Sequence, residues 1–130
     1  MANEELLAMV RRRSITGDQY DRTAIPTYYR TRGECEAPFT ADAPFELLES
    51  TPTDLQDPFW PAYEQNHDAQ AFATAYTAFF RAFSEPCFFG DVHMPVADEF
   101  YNGVEKRIAA DPDAAVCQWQ LLLMRISRRA

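Results

Sequence analysis

Apolar positions recur at helical spacing at both ends of the chain and lose that spacing in between. Over residues 3–13, Leu6, Leu7, Met9 and Val10 make one apolar side. Asn3 can cap this segment, Glu4 and Glu5 suit its positive end, and Arg11, Arg12 and Arg13 suit its negative end. Gly17 and Asp18 then break the pattern. The helical signal returns at Asp57, with Pro58 and Pro61 in a first turn and Phe59, Trp60 and Tyr63 supplying bulk. A second start at Asp68 opens the clearest amphipathic stretch, in which Phe72, Tyr76, Phe79, Phe80 and Phe83 recur at helical intervals and Ser84-Glu85-Pro86 marks the end. After the connector Cys87–Gly90, Pro95 fits the first turn of another helix with Ala97, Phe100, Tyr101, Val104 and Ile108 on one face. Asp111-Pro112-Asp113 reads as the start of a last helix, since Val116, Trp119, Leu123 and Ile126 follow a 3-4-3 spacing. Cys117, Trp119, Leu121 and Leu123 also alternate as in a strand, but Leu122 and Met124 interrupt the alternation and helix is favoured.

Residues 17–58 are a different kind of chain. Pro26, Pro38, Pro44, Pro52 and Pro58 punctuate them, so no long helix fits. Ala24 to Arg32 is the best strand candidate, and Phe45 to Glu49 has room for one helical turn. The expected fold is mainly α: about four helices in a small bundle, one domain over residues 1–130, with a long proline-rich irregular arm (residues ~17–58) after the first helix.

Charge gives that arm a character. The chain of 130 residues has a formal net charge of −8, and the charge is unevenly placed. Residues 34–80 contain no Lys or Arg, whereas Glu34, Glu36, Asp42, Glu46, Glu49, Asp54, Asp57, Glu64 and Asp68 bring them to −9. Residues 1–33 sum to +2 and residues 81–130 to −1. A basic face for phosphate is missing, so direct nucleic-acid binding and adhesion to anionic lipid are not expected. No apolar run approaches the length of a membrane span, and Cys35, Cys87 and Cys117 are odd in number and widely spaced. Both features suit reduced thiols in a cytoplasmic protein.

Candidate chemistry is sparse. Glu64-x-x-His67 has the spacing of a carboxylate and an imidazole sharing one ion on a helix, but the partner motif of a di-iron bundle is missing. Asp91 and His93 lie two residues apart near Cys87, the residue types of a Cys-His-Asp set without a nucleophile motif around them. The four glycines are isolated, which removes phosphate-cradling loops. No cofactor is expected. The aromatics exceed what a small core needs, and one ring of each of the pairs Phe79-Phe80 and Phe88-Phe89 is a candidate anchor, with Phe80 and Phe89 chosen.

The expected function is therefore a non-catalytic interaction protein, a small acidic accessory subunit or regulator docking on a larger protein. Its candidate partner-binding residues are Glu34, Glu36, Asp42, Glu46, Glu49, Asp54, Asp57, Phe80 and Phe89; homo-oligomerisation stays open. The alternatives are a small-molecule or metal-binding helical domain, an enzyme included, using His93, Asp91 and Cys87 or Glu64 and His67, and an acidic mimic of nucleic acid. The basic termini can meet the acidic middle within one molecule or an acidic surface on a partner.

Overall fold

Six helices and one antiparallel strand pair are present among the described residues, 1–25, 27–90 and 94–129, of this computed structural model. The architecture is mixed α/β, mainly helical, and corrects the expected all-helical bundle. The chain divides into two compact units: Met1–Pro26 with Pro58–Val116, and Thr27–Asp57 with Cys117–Ala130.

The first unit holds α1 (Ala2–Arg12), α2 (Gly17–Arg22), α4 (Trp60–Asn66), α5 (Ala69–Phe89) and α6 (Met94–Ala110); α3 (Arg32–Glu36) belongs to the second. Local chemistry explains most helix boundaries. Thr16 and Gln19 form a reciprocal capping box at the start of α2. Asp68 accepts a hydrogen bond from the Ala71 amide at 2.9 Å and starts α5. The α6 face read from the sequence is the buried one: Ala97, Phe100, Tyr101, Val104 and Ile108 are all within the core with Leu6, Met9, Ile15, Phe72 and Phe89. Phe100 is fully buried, which stabilises the unit by about 1.5–3 kcal/mol relative to leaving the ring in water.

One boundary differs. Helix α5 continues through Pro86 to Phe89 instead of ending there. Proline removes one helical hydrogen bond, and the added turn brings Phe88 and Phe89 to 5.8 and 5.3 Å from the Phe100 ring centroid. Tertiary packing outweighs the local break.

The second unit is built on β1 (Phe45–Leu55) and β2 (Trp119–Arg128), paired antiparallel from Phe45 opposite Arg128 to Leu55 opposite Trp119, with a bulge between Leu47 and Glu49. The proline-rich arm thus contains an eleven-residue strand where one helical turn was expected at Phe45–Glu49. Ala24–Arg32, the strand candidate, forms no strand over its described residues. The C-terminal segment is a strand, not the fourth helix. Asp111 caps only a turn, accepting from Ala114 N at 3.2 Å, and the chain then extends. Leu122 and Met124 do not spoil the strand, because each face of the ribbon carries apolar residues.

Candidate functional site

In the strand-pair unit, residues opposite one another share a face. The first face carries Trp119, Leu121, Leu123 and Arg125 beside Leu55, Thr53, Thr51 and Glu49. The second carries Gln120, Leu122, Met124 and Ile126 beside Asp54, Pro52, Ser50 and Leu47. Leu55, Leu121 and Leu123 are 50, 40 and 57% exposed, and Phe45, Leu48 and Ile126 are exposed too. Among the described residues, no apolar side chain of this unit is buried; every member of the apolar core lies in the helical unit.

Helix α3 is held by polar chemistry. Thr31 and Glu34 form a capping box, and the Glu34 carboxylate accepts from the Tyr28 hydroxyl at 2.6 Å and from Thr31 N at 2.8 Å. The Tyr28 bond first, and then those from Thr31, hold the Glu34 carboxyl at about 2. Arg32 bonds Glu36 at 2.6 Å and donates to the Ser50 carbonyl on β1 at 3.0 Å.

Folding redistributes the charge. The strand-pair unit joins most of the acidic arm to the basic C-terminal segment: Arg30, Arg32, Arg125, Arg128 and Arg129 stand against Glu34, Glu36, Asp42, Glu46, Glu49, Asp54 and Asp57, a net of −2. Arg125 lies 3.5 Å from Glu49 across the strands. The helical unit carries the remaining −6.

The candidate partner-binding residues are placed as follows. Glu34, Asp42, Glu46, Glu49 and Asp54 are exposed, and Glu36 is half-buried. Asp57 is 1% exposed and accepts a hydrogen bond from Cys117 N at 3.2 Å, so it closes the base of the ribbon and is not displayed. Phe89 is buried and Phe80 half-buried against the helical core; the exposed ring of the first pair is Phe79. Missed by the sequence reading were Leu55, Leu121 and Leu123. The interrupted alternation at residues 117–124 was the one signal that pointed to them.

Acid–base and metal chemistry find little support in the geometry. Asp91 and His93 lie outside the described residues. Cys87 is exposed, and its thiol is 3.8 Å from the Phe83 carbonyl. It lines a cleft of about 400 Å³ in the helical unit with Arg22, Gln19, Thr23, Ile15 and Phe88. Glu64 and His67 are exposed; His67 ends α4 in the left-handed region at φ 53°, its ring edge-on to Tyr63 at 5.9 Å. Among the described residues, no three His, Cys, Asp or Glu side chains converge to hold a metal. No helix is long and apolar enough to cross a membrane.

One polar assembly of the helical unit ties α1 to α6. Glu5, 4% exposed, receives Arg12 at 2.9 Å and Arg107 at 2.8 Å, and Arg12 also binds Glu99 at 2.8 Å. Burial pushes the Glu5 carboxyl up, but the two guanidinium bonds outweigh it and hold the group below its ordinary value. No family model and no curated protein matches this chain.

Proposed function

We propose that the protein is a non-catalytic interaction protein, a small accessory subunit or regulator that docks on a larger protein through the strand-pair unit. The observation that carries this reading is that the unit buries no apolar side chain of its own among the described residues, while Leu55, Leu121 and Leu123 share one exposed face. A two-stranded ribbon is marginal in water without a helix or further strands on its apolar face, and clustered exposed apolar side chains mark interaction sites. The complementary partner presents an apolar strip with basic groups at its rim, because Glu46 and Glu49 fall on the same face by register.

The register also argues against a mimic of nucleic acid. Asp54 falls on the opposite face from Glu46 and Glu49, and Arg125 sits beside Glu49. Carboxylates divided between faces and interrupted by a cation do not reproduce a phosphate row.

The test is capture from the native host by tagged protein at low and high salt, with a Leu121→Ser/Leu123→Ser variant run alongside. The reading requires a stoichiometric partner that wild type holds and the variant releases, with helical circular dichroism unchanged. Capture of nothing, or equal capture by both, overturns it.

A further inference from the structure

A two-stranded ribbon has two outer edges, and each presents unpaired backbone groups unless something closes it. Here the two edges differ. Arg129 N donates to the Pro44 carbonyl at 3.0 Å, so Phe45 and Arg128 form a non-hydrogen-bonded pair whose own backbone groups point outward. Beyond the bulge, two facts set the same alternation. Pro52 has no N–H, and the Ser50 carbonyl accepts from Arg32. Ser50, Pro52 and Asp54 therefore face the outer edge of β1, and the residues opposite them, Met124, Leu122 and Gln120, face the outer edge of β2.

The β1 edge is thus closed twice, by a missing donor at Pro52 and an occupied acceptor at Ser50. The β2 edge has no such guard: from Trp119 to Arg128 it contains no Pro, Gly or Lys. About Leu122 the segment is symmetric over Leu121-Leu122-Leu123, and further out Gln120 corresponds to Met124 and Trp119 to Arg125. Laid antiparallel on its own copy about Leu122, the segment sets three leucines against three leucines and its one cation against an indole.

We propose that the β2 edge is occupied by the β2 strand of a second copy of this chain, paired antiparallel about a twofold axis at Leu122 into a four-stranded sheet ordered β1-β2-β2-β1. In that register Leu122 meets Leu122, Gln120 meets Met124 and Leu121 meets Leu123. The outward-facing residues are even-numbered on both strands, so each of these outward pairs exchanges two N–H···O bonds. Charge is accommodated as well. Arg125 is the one charge from Trp119 to Arg125, and its own Glu49 already balances it. The pairing sets it opposite Trp119 of the other copy, where a guanidinium and an indole face attract, and no like charges meet. The twofold contact closes on itself, so it stops at two chains.

The inference is independent of the docking partner: a monomer that still captures a partner overturns the dimer alone, and a dimer that captures nothing overturns the docking alone. Sedimentation of the full chain from micromolar to millimolar concentration is expected to move from one chain of 14.9 kDa to two. Leu122→Pro removes an outward donor opposite Pro52 and leaves the β1–β2 ladder intact; it is expected to weaken the dimer by about tenfold or more. Amide exchange at Gln120, Leu122 and Met124 slows with wild-type concentration, whereas Leu121 and Leu123 do not change. That exchange pattern decides the matter alone if Leu122→Pro unfolds. A wild-type monomer at every concentration, equal association of Leu122→Pro, or exchange at Gln120, Leu122 and Met124 indifferent to concentration would each overturn the proposal.

Discussion

The Glu5 carboxylate occupies the space where a Cβ on residue 103 would stand, so Gly103 on α6 leaves the room in which Glu5 reaches Arg12 and Arg107. Gly103→Ala is expected to force Glu5 off Arg12 and Arg107 and to destabilise the helical unit by about 1–3 kcal/mol. Urea denaturation of the two proteins measures this.

Glu5 also sets the acid limit of the helical unit. Its folded-state carboxyl lies below the ordinary value of 4.5, so the stabilisation is present above the unfolded pKa and is lost as pH falls through the folded one. Glu5→Gln keeps the size but not the charge. The variant is expected to lose about 1–3 kcal/mol at neutral pH and to show a shallower fall in stability below pH 4.5 than wild type. Thermal melts between neutral and acid pH check both.

Tyr101 does the reverse at high pH. Ser84 Oγ donates to the Phe80 carbonyl at 2.7 Å and shares a 2.8 Å hydrogen bond with the Tyr101 hydroxyl. Burial pushes the phenol up to about 12, with the Ser84 bond and Arg81 pulling the other way. A folded state that keeps its proton longer is stabilised below the unfolded pKa, and that stabilisation is lost as pH rises from 10.0 towards 12. Tyr101→Phe is expected to cost about 1 kcal/mol at neutral pH and to flatten this alkaline loss, read from melts across that range.

His67 sits at a helix end in the left-handed region, where glycine carries no Cβ penalty. His67→Gly is expected to leave the fold intact and to raise stability by about 0.5–1 kcal/mol, visible as a higher Tm. An equal loss of stability would give the imidazole a structural role beyond its edge contact with Tyr63.

Pro52 guards the edge of β1 by withholding a donor. Pro52→Val restores that N–H at the outer edge of β1, and light scattering is expected to show association beyond two chains that grows with time and concentration, whereas wild type stops at two.

Helices α1, α5 and α6 were legible because their information is local. Asp68 caps a turn three residues away, and Phe100, Tyr101, Val104 and Ile108 repeat within one helix. The error at Pro86 has the opposite character: the break is local, whereas Phe100, which draws α5 onward, comes from the next helix. The candidate site was legible only in part. Exposed carboxylates at Glu46, Glu49 and Asp54 were found from charge, but Phe89 was placed outside the core because a dipeptide pattern carries no information on which ring turns inward.

By itself, the sequence determined the helical core, the Asp68 cap that starts α5 and the concentration of acidic residues before Phe72, whereas Asn3, expected to cap α1, lies inside that helix and accepts from the Tyr20 hydroxyl. Only the tertiary structure decided that Glu49 would meet Arg125, that most of the acidic arm and the basic C-terminal segment form one nearly neutral unit, and that Leu121 and Leu123 would share a face with Leu55. Strand pairing joins residues far apart in the chain, and a ribbon apolar on both faces shows only a broken alternation to announce it.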